Sequence, residues 1–455
     1  MTIGTGVWAF VVYIAFVIIW NTVVKRNIAE AMAIGLVIAA AFSGFSAIPS
    51  VIVASMLDAM QSDVMLAIML FMFMSTVMAK TGIISRLVNI LNSLLGKIRG
   101  GPAYVSACAS ALFGMVSGSG AGNSATVGSI TVPWMVQSGW PKNVAATMNA
   151  GNAGLGIAMP PSSSMLLMLG FATVAEQVNA GNLYFALLCG GLWTLLYRMV
   201  LVRYYVRKYN VPALPGDQIE SLGASLKKGG TSLFMFLGIA IPMLLTVGPI
   251  SVALKAVESF GKSGVKAINI IVWVPVMITL ICMIEGHKLL PKTVSAWKDV
   301  VLSTRKTCAT VGGVSLFALA GSEALTAAGF GEDLQLLLES LSMPKFMMVL
   351  VVGIIIAMVA GPLNATATTV GLGPVAYAAL TGVGVSPTTA VVAFLIFAST
   401  EGASPPSSSP IFISCSIAEV EDVTVTFKPL IFHYVIPVVL IGVLIAMGIL
   451  PIING

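Results

Sequence analysis

Gly151-Asn152-Ala153-Gly154-Leu155-Gly156-Ile157-Ala158-Met159-Pro160-Pro161-Ser162-Ser163-Ser164 is an apolar stretch with two adjacent prolines near its end. Each proline removes an amide donor and clashes with an earlier carbonyl, so a helix must break there. The carbonyls freed near Ile157 and Ala158 need new partners. The serines that follow sit at a new helix N-terminus, where anionic groups bind. Thr400-Glu401-Gly402-Ala403-Ser404-Pro405-Pro406-Ser407-Ser408-Ser409 has the same form. One such motif is compatible with a plain proline kink. Two of them point to paired broken helices, with Asn152, Ser162, Ser163, Ser407 and Ser408 as candidate solute ligands.

The pairing extends upstream. Asn123-Ser124-Ala125-Thr126 precedes Pro133, and Asn364-Ala365-Thr366-Ala367-Thr368 precedes Pro374, with ten residues from Asn to Pro in both. Thr81-Gly82 and Ala328-Gly329 open a further matched pair. Four elements in the same order read as an internal repeat. The first copy covers 1–207, with a hairpin at 102–138 and a broken helix at 143–175. The second covers 231–455, with a hairpin at 345–380 and a broken helix at 387–415. The Pro- and Gly-containing stretch 208–230 reads as a cytoplasmic linker.

Hydrophobic residues make up 58% of the 455 residues and charged residues 9%. A soluble domain carries about 25% charged residues, so lipid must cover most of this surface. Ten stretches approach the roughly 20 apolar residues of a spanning helix. They lie near 4–24, 30–48, 63–83, 143–175, 183–204, 231–254, 267–285, 309–328, 387–415 and 430–450. The expected fold is an all-α polytopic membrane protein of two five-span halves. The regions 102–138 and 345–380 are interrupted midway by Gly, Ser, Asn or Thr and read as re-entrant hairpins, because irregular backbone at depth survives only inside protein or beside a cavity. With the N-terminus outside, all of the 23 Lys and Arg residues except Lys255, Lys262, Lys266 and Lys345 fall on the cytoplasmic side. Five crossings separate each element from its mate, so the repeats are expected to be inverted, with a binding site near the midplane. The net charge of +6 follows from this topology and carries no sign of nucleic-acid binding.

Ser117-Gly118-Ser119-Gly120-Ala121-Gly122-Asn123 lets the backbone turn at depth and frees carbonyls and amides. Oxygen cages of this kind suit a hard cation such as sodium. Close helix packing is the alternative; it explains the glycines well and the polar cluster less well. Glu401, beside the second break, is suited to hold a cation or take a proton, and Glu323 is the other carboxylate within a span. Arg198 and His433 are expected at the interface. The five cysteines show no metal or redox spacing, and no cofactor is expected.

Several words in the first half resemble the large membrane subunit (DctM-like) of tripartite ATP-independent periplasmic (TRAP) transporters, within the ion transporter superfamily. They are Lys80-Thr81-Gly82-Ile83, Leu112-Phe113-Gly114-Met115-Val116-Ser117-Gly118-Ser119, Gly128-Ser129-Ile130-Thr131-Val132-Pro133 and Pro160-Pro161-Ser162. The second half matches at Gly361, Thr366, Pro374 and Pro405-Pro406. The resemblance implies an elevator-type carrier, in which a transport domain slides against a fixed scaffold in the bacterial inner membrane. It implies sodium coupling, a small organic acid as solute, and a small four-helix membrane subunit and a periplasmic binding protein as partners. It implies one sodium site at Ser117, Ser119, Asn123 and the backbone of Gly156–Met159. A second is implied at Gly361, Asn364, Thr366, Thr400, Glu401 and Ser404. The family often has Asp where this chain has Asn364 and Gly where it has Glu401. That departure leaves sodium and proton coupling both open.

A channel, or a subunit of an ion-translocating complex, calls for a row of ionisable residues along one path, and only Glu323 and Glu401 are available. An enzyme calls for a nucleophile–base pair or a metal motif. His287 and His433 form neither. No arginine stands at a hairpin tip or a break, so neutral and zwitterionic solutes are admitted beside anions.

Overall fold

The computed structural model describes every residue except 1–3, 25, 27, 118, 214–218, 247–248, 259–260, 331, 334–335, 337–342, 407 and 454–455. The described residues are helical, without a β-strand. Among the described residues, four helical runs are long and apolar enough to cross a membrane: Asp63–Lys80, Ala180–Lys208, Leu222–Thr246 and Val423–Ala446, the third and fourth each made of consecutive helical elements. Eight shorter apolar helices accompany them. On the outside of Ala180–Lys208, Leu188, Leu192, Leu196, Val200 and Tyr204 are all exposed at every fourth position. That spacing lines up one helix face. An exposed apolar stripe of this length is what lipid covers.

The helices sort into two packed groups. In the outer group, Ile28–Ala41 packs on Gly313–Ala327, and Asp63–Lys80 packs on Ile270–Glu285. Each contact joins an N-terminal helix to one from the second half. The inner group holds the proline-broken segments. The first runs as Lys142–Ala153, a 3-10 turn at Gly154–Gly156, then Ser163–Gly170. The second runs as Pro387–Ala398, a 3-10 turn at Ser399–Ala403, then Ser409–Ile417. In both, the bond within the proline pair is cis. All of Thr389–Ala398 and all of Val144–Ala153 are buried. A helix buried all round is an interior helix. The two broken helices are therefore the axis of the inner group.

Two helical pairs close over the breaks. In the first, Gly101–Ser117 and Gly120–Gln137 pack side by side. Ser119 caps the returning arm by accepting from the Gly122 amide at 3.2 Å. In the second, Lys345–Gly382 is helical over 38 residues. A straight helix of that length would hold its ends about 57 Å apart. Yet Lys345 Nζ donates to the Gly384 carbonyl at 3.0 Å, so the chain reverses midway. The sequence signal for this reversal was Gly361 with the polar residues after it.

Glycine allows the breaks and pairs to meet. A β-carbon on Gly154 would overlap the Ser399 carbonyl oxygen. One on Gly402 would lie 2.5 Å from the Ala150 carbonyl oxygen. The two breaks thus cross backbone against backbone. Gly114 meets Gly156 in the same way, 2.7 Å from a β-carbon position to Cα, and Gly361 meets Ser404. Each hairpin is seated on the break of its own half.

The stretch opened by Thr81-Gly82 forms the helix Ile83–Leu95, with Ile83, Ile84, Leu87, Val88 and Ile90 buried. Most of its counterpart, 331–343, lies outside the described residues. Arg198 is enclosed by protein. It is 2% exposed, with its guanidinium 4.2 Å over the Tyr434 ring. Tyr434 in turn fills the space beside Gly151, ahead of the first break.

Gly154→Ala and Gly402→Ala should each lower the unfolding midpoint of the detergent-purified chain, by the equivalent of about 1–3 kcal/mol or more. Gly223→Ala is the control. It lies in a helix with nothing within 4 Å of the added carbon, and it should leave the midpoint unchanged or raise it.

Candidate functional site

The breaks and hairpin tips bring most of the sequence candidates into one buried region. Asn123 stands just inside the second arm of the first hairpin. Its Nδ2 donates to the Ser110 carbonyl at 3.0 Å and to the Ala153 carbonyl at 2.8 Å. It thereby joins both arms of the hairpin to the first break. Its Oδ1 is buried without a hydrogen-bond partner among the described residues. An amide whose donors are spent and whose oxygen is free is an acceptor awaiting a cation or a donor.

The hydroxyls at the breaks are turned toward backbone. Ser162 Oγ donates to the Ile157 carbonyl at 3.1 Å and accepts from the Met165 amide at 3.2 Å. It satisfies the carbonyl freed by the proline pair and caps the new helix at once. Ser408 Oγ donates to the Glu401 carbonyl at 2.6 Å. Ser404 Oγ donates to Thr400 O at 2.9 Å, and Thr400 Oγ1 to Phe397 O at 2.8 Å. Each hydroxyl hydrogen named here is spent on closing its own break. What these hydroxyls still offer a ligand is oxygen lone pairs.

The remaining candidates take these places. Gly156 lies against Gly114, and Met159 is buried with its sulfur toward Gly191. Gly361 is seated on Ser404, and Thr366 is half-buried. Asn152 is buried, and both its amide atoms lack a partner among the described residues. Ser163 is buried. Ser119 is exposed at the first tip. Ser407 and the side chains of Ser117 and Asn364 lie outside the described residues. Glu323, on the outer group, is half-buried and stands on none of the elements that form the breaks or tips.

Glu401 is placed more centrally than its motif suggested. Its carboxyl faces Gly120 at the first hairpin tip, where an added β-carbon would lie 3.0 Å from Cδ and both oxygens. It also accepts a hydrogen bond from the backbone of Ala365 in the second hairpin. One side chain therefore touches both hairpins.

Sequence reading missed the seam that holds the halves together. Asn149 Nδ2 donates to the Ser124 carbonyl at 3.0 Å and lies 2.8 Å from Ser414 Oγ. Ser124 Oγ and Ser414 Oγ are 2.8 Å apart. Gly128 leaves room for the Asn149 amide. The only sequence signal was three polar residues within apolar helices. A cavity of about 610 Å³ opens between the outer group and the second hairpin. Tyr13, Gln177, Ser322, Thr326, Tyr377 and Thr381 line its polar side.

Comparison with known proteins bears on the family and on the fold. The family described as "Tripartite ATP-independent periplasmic transporter, DctM component" matches residues 7–447. The C4-dicarboxylate TRAP transporter large permease protein DctM of Pseudomonas aeruginosa is 34% identical over 164 residues, 36% of this chain and 38% of that protein's length. YgiK of Salmonella typhimurium is 23% identical over 387 residues, 84% of this chain and 82% of that protein. The crystal structure of the Alcanivorax borkumensis YdaH transporter superposes with a TM-score of 0.64 at 15% identity, covering 88% of this chain and 87% of that one. At that identity the likeness concerns the fold alone.

In a double-mutant cycle, Ser124→Ala and Asn149→Ala should show a coupling energy within about 0.5–3 kcal/mol in denaturant unfolding of the purified chain. Additive effects would mean that the seam does not act as a unit.

Proposed function

This chain belongs to the family of the DctM component of tripartite ATP-independent periplasmic transporters, a family of transporter permeases and not of enzymes, and on that premise we propose that it is a sodium-coupled, elevator-type carrier of a small organic acid or related polar solute. The observation that carries this reading is the crossing of two helix breaks beneath two hairpins, with unpartnered acceptor atoms at the crossing. The inner group is the transport domain. The outer group is the scaffold. The two hairpins are re-entrant, and the halves are inverted repeats in the bacterial inner membrane.

The first sodium site is formed by Ser117, Ser119, Asn123 Oδ1 and the backbone of Gly156–Met159. The second is formed by Gly361, Asn364, Thr366, Thr400 and Ser404. The spent hydroxyl hydrogens of Thr400 and Ser404, and the unpartnered Asn123 Oδ1, favour a hard cation. The solute binds beside them at Asn152, Ser163 and Ser407, reached through the polar cavity between scaffold and second hairpin. Ser162 and Ser408 shape that place through the carbonyls they hold. A small four-helix membrane subunit and a periplasmic binding protein deliver the solute.

Purified chain, reconstituted in liposomes with its partner subunits, should accumulate a C4-dicarboxylate such as succinate only when sodium is higher on the side of entry. Asn123→Ala should lower that uptake at least tenfold while the protein remains folded, about 1.4 kcal/mol or more in coupling. Equal uptake with and without a sodium gradient would rule sodium out.

A further inference from the structure

The cavity between the outer group and the second hairpin is lined from both sides. Tyr13, Thr326 and Glu332 face it on the side of the outer group, and Gln177, Tyr377 and Thr381 on the other. Its volume of about 610 Å³ falls in the range of small-molecule sites. Its hydrogen-bonding character is one-sided. Tyr377 Oη donates to Gln177 Oε1 at 3.1 Å, and Thr326 Oγ1 to the Ser322 carbonyl at 3.0 Å. Thr381 Oγ1 donates to the Tyr377 carbonyl at 2.9 Å, and Tyr13 Oη to Met32 Sδ at 2.9 Å. These hydroxyl hydrogens are committed to the protein, and the oxygens keep their lone pairs. Glu332, exposed at the rim, adds a carboxylate. No Lys, Arg or His lines the cavity among the described residues.

The backbone that carries the rim carboxylate is held in place. Asp333 Oδ2 accepts from the Gly6 amide at 2.7 Å, and the Phe330 ring stacks on Phe10 with centroids 4.8 Å apart. Both contacts anchor it to the first helix, Thr5–Thr22. A lining of lone pairs and one carboxylate repels a further carboxylate and suits a group made only of donors. A primary ammonium is such a group, with three N–H donors, no acceptor and a positive charge. Its hydrogen bond to a carboxylate is of the strong, charge-assisted kind.

We propose that this cavity is a binding site for a protonated primary amine, so that the preferred solute is a zwitterion with a carboxylate at one end and an ammonium at the other. This rests on the carrier reading above and narrows its solute. The cavity lies on the path that reading gives the solute, so the ammonium is recognised on entry, before the carboxylate reaches the breaks. A plain dicarboxylate passes the same way without that contact and binds more weakly.

The test is titration calorimetry of the purified full chain in lipid nanodiscs, at constant sodium and about pH 7, where amine and carboxylate are both charged. The probes are β-alanine, succinate and propanoate. β-Alanine is succinate with one carboxylate replaced by an ammonium, and propanoate lacks that group altogether. β-Alanine should bind about tenfold more tightly than either, the effect of one hydrogen bond to a charged group. Choline, a cation without N–H donors, should not displace it. In E332Q, at an exposed position, the preference for β-alanine over propanoate should fall at least about threefold, with propanoate unchanged. T326V, which removes a lone-pair donor and keeps the shape, should act in the same direction. β-Alanine binding that is absent or no tighter than that of propanoate would overturn the proposal. So would a preference that survives both variants. Binding is read without a gradient and sodium-driven succinate uptake separately, so either reading can fail while the other stands.

Discussion

Gly154 and Gly402 hold the two helix breaks against each other with no side chain between them. Everything else in the inner group depends on that crossing. It places two sets of interrupted backbone side by side in the protein interior, where freed carbonyls and amides are costly if left without partners. The chain meets this constraint with hydroxyls from its own serines and threonines, and with a hairpin seated on each break. The cost of irregular backbone is offset only because both breaks are buried together.

The same constraint explains the polarity of the site. Ser162, Ser404, Ser408 and Thr400 spend their hydrogens on local carbonyls, and Asn123 spends its amide on Ser110 and Ala153. These residues therefore offer lone pairs and little else. Such a lining selects for positive charge before any solute is considered. It also accounts for the position of Glu401, the one carboxyl among the described residues that contacts both hairpins. Under the proposed carrier function, a solute bearing negative charge would enter such a place only with cations already bound.

The breaks were legible in the sequence because the proline clash is local: Pro160-Pro161 and Pro405-Pro406 end their helices whatever surrounds them. The capping role of Ser162 followed from the same local chemistry. The family was legible in short words, such as Leu112–Ser119 and Gly128–Pro133, and the match over 7–447 agrees. Tertiary partners were not legible. Nothing near Gly154 in the chain says that Ser399 will lie against it. Nothing near Asn149 announces Ser124 and Ser414. Arg198 was read only as a charge near a span end, and the two aromatic rings that flank it were not legible. Glu401 was read with the second half alone, since its contact with Gly120 joins segments far apart in sequence.

Hydrogen–deuterium exchange of the purified chain, with sodium replaced by choline, tests the coupling of ion to breaks and tips most directly. Amides at 119–123, 154–162, 361–366 and 399–408 should gain protection together when sodium is present, while the outer-group helices Ile28–Ala41 and Gly313–Ala327 stay unchanged. Exchange that is identical in the two salts across all four stretches would contradict the carrier reading.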